Sequence, residues 1–313
     1  MITLTLCVGA IVYDMACHFP LTAWRSADLD DISATGKHKL VFRADLGFPN
    51  TKMEIPCGQC TGCRLDRARA WAIRCMHEAS LHSENCFLTL TYDDEHLPES
   101  GSLNKRDIQL FLKRLRDRIA PKRVRFLQCG EYGDEFSRPH HHVLLFGHDF
   151  SDKLLFRGGK KNKLYTSALL KTLWPLGHHT IGAVDYDACS YCARYVLKKV
   201  TGDAAIEHYD GKLKEYITMS RRPGIAADWF RKFKADIFNH DKCVVEPGFI
   251  ARPPKYYDKL YELHNPDHFK EIKIKRRAHA KENPLTPADR TRLHEFSQEM
   301  AKKEPDRSFE SGG

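Results

Sequence analysis

The stretch Arg138-Pro139-His140-His141-His142-Val143-Leu144-Leu145-Phe146-Gly147 decides how this chain is read. Proline is tolerated at a strand's first position, Val143 to Phe146 is an apolar run, and Gly147 ends it, so the three histidines are predicted to be extended. Side chains alternate along a strand. His140 and His142 therefore share a face, and His141 points away toward whatever packs behind the sheet. Two imidazoles on one face can hold a divalent metal; they can equally be a plain pair of histidines at a strand end.

Just upstream, Val124 to Cys129 reads as a second strand, running into Gly130-Glu131-Tyr132-Gly133-Asp134. The two strands form a predicted hairpin. Antiparallel pairing brings Glu131 opposite the start of the histidine strand, near His140, where a carboxylate completes a two-imidazole, one-acid metal site. Asp134 and Glu135 sit in the loop and are less well placed. Further upstream, Cys86-Phe87-Leu88-Thr89-Leu90-Thr91-Tyr92 reads as a strand closed by Asp93-Asp94-Glu95. Leu103 to Ile119 reads as a helix with Ile108, Phe111, Leu112, Leu115 and Ile119 on one stripe, Asn104 as N-cap and Pro121 just beyond the end. Downstream come a polar segment (Arg157 to Lys163), a short helix ending near Trp174-Pro175 and a strand over Thr180 to Tyr186. The next helix carries Tyr191-Cys192-Ala193-Arg194-Tyr195-Val196-Leu197-Lys198-Lys199. Tyr191 and Tyr195 lie one turn apart on one face, each with a cation three residues on, Arg194 and Lys198. In isolation such a pair is more often packing than nucleophile.

The 313 residues allow one large domain or two ordinary ones. With 50 Lys+Arg against 41 Asp+Glu the net charge is +9, which favours a polyanionic partner such as nucleic acid. No apolar run approaches the roughly 20 residues that span a bilayer. Met1 to Val12 is apolar but has no Lys or Arg ahead of it, so a secretory signal is not expected and the protein is read as cytosolic. Its 11 cysteines are then thiols and metal ligands rather than a disulfide framework.

The first sixty residues show little periodicity, and their most specific feature is Cys57-Gly58-Gln59-Cys60-Thr61-Gly62-Cys63. Three thiols at this spacing suit one soft metal, with Cys17 or Cys75 as the fourth ligand. Structural zinc is the favoured reading, free thiols the plain alternative and an iron–sulfur cluster a third. Arg64 to Leu81 follows as an amphipathic helix with several arginines. The window Lys105 to Arg125 holds nine basic residues against two acids, a candidate phosphate track through Lys113 and Arg114 or simply a solvated face. Ser220-Arg221-Arg222-Pro223-Gly224-Ile225 precedes a basic helix with Trp229 and Phe230. Beyond Lys270 the chain is highly charged and reads as a helical or partly disordered tail.

A strand-borne metal pair, a nearby acid and cation-flanked tyrosines together suggest phosphodiester chemistry, with a tyrosine attacking phosphorus to leave a 5′-phosphotyrosine and a free 3′-hydroxyl. Tyrosine titrates near 10, so only about one phenol in a thousand is ionised at neutral pH, and Lys198 or Arg194 would favour the phenolate. The ordered set Phe87 to Tyr92, Gly130 to Gly133 leading into Arg138 to His142, and Tyr191 to Lys199 resembles the three motifs of HUH rolling-circle replication initiators. It is similar to the replication initiation proteins of gokushovirus-like microviruses, small single-stranded DNA phages. Cys57 to Arg64 and Ser220 to Ile225 resemble that family too, so the likeness covers about Met15 to Tyr257. Met15-Ala16-Cys17-His18 resembles the family's usual start, which makes residues 1–14 an expected addition. One departure is His141, where the family has a bulky hydrophobic residue.

The resemblance implies an α+β fold, an antiparallel sheet flanked by helices and related to the RNA-recognition fold, with added helical and zinc-stapled segments. The expected division is an N-terminal segment with the cysteine cluster (1–80), an HUH core (81–205), an extension packed on the core (206–270) and a charged tail (271–313). It implies catalysis by Tyr191 and Tyr195 in alternation, with Lys198; a divalent metal, magnesium or manganese, on His140, His142 and Glu131; structural zinc on Cys17, Cys57, Cys60 and Cys63; and DNA contacts from Arg194, Lys199, Lys113, Arg114, Arg221 and Arg222. Expected partners are single-stranded phage origin DNA and the host replication machinery in the bacterial cytoplasm, with no membrane. Two other readings stay open: a metal-dependent nuclease that uses water, and a non-enzymatic zinc-dependent DNA-binding protein.

Overall fold

A computed structural model describes residues 17–33, 36, 38–133, 136–158, 163–198 and 203–302, without the side chains of 195–198, 204, 301 and 302. Lys199, Asp134, Glu135 and residues 1–14, all named above, lie outside them. The chain forms two compact units, one built from Arg67–His279 and the other from the described parts of Tyr13–Asp66 and Ala280–Lys303.

In the smaller unit the stretch with little periodicity folds into three short antiparallel strands, β1 (Leu21–Arg25), β2 (Leu40–Val41) and β3 (Met53–Ile55), in the order β2-β1-β3. Helix α1 (Thr61–Ala79) starts there and continues into the larger unit. It begins three residues earlier than the amphipathic pattern predicts, in the last turn of the cysteine cluster.

The larger unit is built on an antiparallel sheet of β4 (Asn85–Thr91), β5 (Arg125–Tyr132), β6 (Pro139–Phe146), β7 (Leu154–Arg157), β8 (Leu164–Thr166), β9 (His179–Gly182) and β10 (Tyr216–Met219). Their order is β10-β5-β6-β4-β9-β8-β7. β6 lies near the middle, and every residue of it is buried. Full burial of Val143, Leu144, Leu145 and Phe146 alone is worth on the order of 6–12 kcal/mol, at roughly 1.5–3 kcal/mol per side chain. Gly147 closes the strand at φ 89°, a conformation that disfavours side chains.

Helix α2 (Lys105–Ile119) is capped as expected, Asn104 accepting from the Arg106 amide. With α3 (Ala168–Leu173) it covers one face of the sheet, where Leu88, Leu90, Val143 and Leu145 meet Phe111, Leu115, Leu170 and Trp174. The other face packs Phe87, Leu127, Leu144 and Phe146 against α1, α4 (Tyr186–Lys198) and α6 (Ala227–His240). A short helix α5 (Ala204–Tyr209) precedes β10. The hairpin β11 (Cys243–Glu246) and β12 (Phe249–Ala251), then α7 (Lys255–His264) and α8 (Pro266–Glu282), follow α6. Arg276 of α8 binds Asp258 of α7 at 2.9 Å and also pairs with Asp241. The charged tail is thus helical here and again in α9 (Pro287–Lys302), whose Arg290 reaches Glu54 of β3 at 2.9 Å.

Two expectations of local structure are corrected. The strand over Thr180 to Tyr186 ends at Gly182, because the Asp185 carboxylate accepts from the Ala188 amide and starts α4, a competition that short acidic side chains win at helix starts. The segment read only as a polar loop at Arg157 to Lys163 is flanked by the β7–β8 hairpin. The α+β reading itself, an antiparallel sheet flanked by helices, holds.

Candidate metal centre and its tyrosine

The hairpin pairs Glu131 with His140, Gly130 with His141 and Cys129 with His142. Glu131, His140 and His142 therefore emerge on one face. Glu131 Oε1 lies 2.7 Å from His140 Nε2 and 2.6 Å from His142 Nε2, and one ligand atom from each residue falls within 4.8 Å of the others. Burial by itself pushes the Glu131 carboxyl up, but the charges of His140 and His142 and their hydrogen bonds outweigh it and leave it below the usual range.

Two features fit a cation here. His140 Nδ1 is 3.1 Å from the Arg138 carbonyl, which can only accept, so that nitrogen carries the proton. Nε2 of the same ring then faces a carboxylate oxygen that also only accepts. Either the ring is an imidazolium or a cation lies between the two acceptors. In addition, among the described residues, Glu131 Oε2 is buried without a hydrogen-bond partner, an anionic lone pair that calls for a positive neighbour.

His142 is held from behind by Thr89 of β4, whose Oγ1 lies 3.1 Å from Nδ1 in the directly paired register position. Phe87 stacks beside it at 5.5 Å. Thr89 is the residue that sequence reading missed. Its signal was a polar side chain recurring on what should be the buried face of an apolar strand. Arg138 is also fixed, its guanidinium 2.8 Å from Asp94 and 3.1 Å from the Tyr92 carbonyl.

His141 points to the opposite face, as alternation requires, and there it belongs to a chain of buried polar groups. Tyr92 donates to Asp107 at 2.8 Å, and its oxygen is 3.3 Å from His141 Nε2. Gln128 Nε2 reaches His141 Nδ1 at 3.3 Å, and Thr218 donates to Gln128 Oε1 at 2.7 Å. Burial, and then the charges of His140 and His142, push this imidazole down to about 3, so it is a neutral partner in that chain.

Tyr191 of α4 is 1 % exposed. Its hydroxyl lies 3.5 Å from His142 Nε2, and its ring stands edge-on to His142 at 4.9 Å. Tyr195 and Lys198 follow one and two turns later on the same helix, but their side chains lie outside those described. Arg194 is half-buried on α4, near enough to Tyr186 to favour its phenolate. Lys113 and Arg114 lie on α2, across the sheet from this site. Arg221 and Arg222 are exposed just after β10, beside Phe126 at the end of β5 away from Glu131. Five residues at about 3.4 Å each separate the two ends by roughly 17 Å.

A second cluster lies in the smaller unit. Cys17, Cys57, Cys60 and Cys63 bring their four sulfurs within 4.8 Å of one another. Burial raises Cys57, but the Cys60 and Gln59 amides outweigh it and bring the thiol down to about 7. Cys75, the other candidate for fourth ligand, is instead buried in the core of the larger unit.

Comparison with known proteins fits this arrangement. The chain is 33 % identical over 251 residues to the replication-associated protein VP4 of Bdellovibrio phage phiMH2K, an alignment covering 78 % of either chain. The chain belongs to this family of phage replication-associated proteins. It is 32 % identical over 229 residues to the replication-associated protein ORF2 of Spiroplasma virus 4, covering 69 % of this chain and 70 % of that one. With the replication-associated protein ORF4 of Chlamydia phage 1 it shares 34 % over 215 residues, 66 % of this chain and 53 % of the other. Residues 85–200 match the model of the replication-associated protein ORF2 family, a span that contains Glu131, His140, His142 and Tyr191. No solved structure matches. The resemblance to microvirus-type replication initiators is thereby borne out at the level of family. Among the described residues no helix is long and apolar enough to cross a membrane.

Proposed function

We propose that this family member initiates replication by nicking one DNA strand at the phage origin and later rejoining it, in the manner of an HUH endonuclease. The observation that carries the reading is the Tyr191 hydroxyl 3.5 Å from His142 Nε2, the nitrogen that His142 turns to the same Glu131 oxygen as His140. In the nicking step the tyrosine oxygen bonds to phosphorus and gives up its proton. The bond from phosphorus to the 3′-oxygen breaks, and that oxygen takes up a proton. The products are a 5′-phosphotyrosine and a free 3′-hydroxyl, and the stored ester lets the reverse attack reseal the strand without a nucleotide.

Glu131, His140 and His142 would hold a divalent ion, magnesium or manganese, which polarises the phosphodiester when bound. Thr89 and the Arg138 carbonyl orient the two imidazoles. Tyr195, one turn after Tyr191, would serve the second cut when the origin is regenerated, and Lys198 would favour its phenolate. The substrate is single-stranded origin DNA and the setting the bacterial cytoplasm, where host replication enzymes extend the 3′-hydroxyl. Arg194 is the cation best placed to meet the strand, because Lys113, Arg114, Arg221 and Arg222 lie on another face or at the far strand end.

Incubating the purified protein with single-stranded origin DNA and magnesium or manganese, then resolving the products under denaturing conditions, tests this. A covalent adduct is expected from the wild type, reduced or non-circularising products from Tyr191→Phe and Tyr195→Phe, and none from the double variant. His142→Ala is expected to bind DNA without cutting it. Normal adduct in the double variant overturns the assignment of nucleophiles; cutting without any adduct points to a water-using nuclease, and binding without cutting to a non-enzymatic protein.

A further inference from the structure

The four cysteines of the smaller unit take no part in that reaction, yet they are arranged as a metal site. Cys57 and Cys60 precede α1 and Cys63 lies in its first turn, where the positive end of the helix favours thiolate. Gly58 takes φ 73°, a turn that a side chain would strain. That turn directs the Gln59 and Cys60 amides at Cys57 Sγ, at 3.5 and 3.3 Å. The fourth sulfur comes from 40 residues earlier, where Cys17 Sγ accepts from the Cys57 amide at 3.2 Å and approaches Cys60 Sγ to 3.9 Å. Tetrahedral zinc at about 2.3 Å from each sulfur requires sulfurs about 3.8 Å apart. The site is therefore close to the size of zinc, with backbone N–H groups already turned toward two of its sulfurs.

We infer that Cys17, Cys57, Cys60 and Cys63 hold one structural zinc ion, and that this ion also secures the docking of the C-terminal helix α9. The connection runs through the residue after Cys17. His18 is buried, its Nε2 is 3.3 Å from Ser297 Oγ, and its ring meets His294 edge-on at 5.1 Å, both partners on α9. Phe19 packs on the same His294 at 5.5 Å. Fixing Cys17 to the ion fixes this contact, and losing the ion frees Cys17 and with it the seat of α9. A closed four-thiolate site has no open coordination position, so the ion holds the fold and does not meet substrate.

The test uses the full chain, purified without chelator. Elemental analysis is expected to find about one zinc per chain in the wild type and in His140→Ala/His142→Ala, and none in Cys57→Ser/Cys60→Ser. Because the cysteine variant can fail to fold, cobalt exchange into the wild type is the second measurement. Tetrahedral sulfur ligation gives intense visible bands and a sulfur-to-cobalt charge-transfer band. Amide exchange across α9 is expected to speed up once zinc is stripped. Zinc that survives cysteine replacement, iron in place of zinc, or a cobalt spectrum without thiolate character overturns the site. Unchanged exchange in α9 after zinc removal overturns its link to the helix.

Discussion

His77 makes the sharpest quantitative prediction, because it is a buried histidine whose fold depends on its staying neutral. It lies on α1, its Nε2 2.8 Å from the Val244 carbonyl and its Nδ1 2.8 Å from the Tyr257 hydroxyl. The carbonyl can only accept, so Nε2 carries the proton and Nδ1 accepts from Tyr257. The ring stacks on Trp229 at 3.5 Å. Burial pushes its pKa down from 6.5 to about 4. A lowered folded pKa means that the unfolded chain binds the proton first as pH falls. The contribution to stability is whole above pH 6.5, is lost progressively below it, and is gone near pH 4. At 1.36 kcal/mol per unit, a shift of about 2.5 units amounts to about 3 kcal/mol. His77→Gln removes the titration. Its cost at pH 7 is expected to be about 1–3 kcal/mol, from the lost stacking and one lost hydrogen bond. The measurement is urea unfolding followed by tryptophan fluorescence at half-unit steps from pH 7 to pH 4. The gap between wild type and variant should close by about 3 kcal/mol over that range. Parallel curves would refute the claim that this buried ring must stay neutral.

Two further substitutions probe the metal centre. Thr89→Val keeps the shape and removes the oxygen behind His142, so manganese affinity by calorimetry should fall roughly 10- to 100-fold while the fold persists; an unchanged affinity would remove Thr89 from the site. His141→Leu leaves Gln128 Nε2 without its acceptor and should cost about 1–3 kcal/mol in thermal or urea unfolding, yet leave manganese affinity within a few-fold of wild type. A loss as deep as that of His142→Ala would mean that the wrong pair of histidines has been assigned.

What could be read from the sequence alone was whatever depends on neighbours along the chain or across a tight hairpin. A strand's period of two put His140 and His142 on one face, and antiparallel pairing across a short loop put Glu131 beside them. A slip of one residue would have turned all the imidazoles over, so the apolar run Val143 to Phe146 that sets the strand's facing also sets the site. The spacing of Cys57, Cys60 and Cys63 announced a metal for the same local reason. Tertiary structure decided everything brought in from a distance. It chose Cys17 over Cys75 as the fourth sulfur, set Thr89 behind His142, and turned Tyr191 rather than an outward residue of α4 toward the imidazoles. It also set the basic stretch of α2 across the sheet from the reaction site, since a helix's charged face shows only that it meets water. Which side of the sheet the helix covers depends on where its apolar stripe finds Leu88, Val143 and Trp174, and no periodicity within the helix encodes that choice.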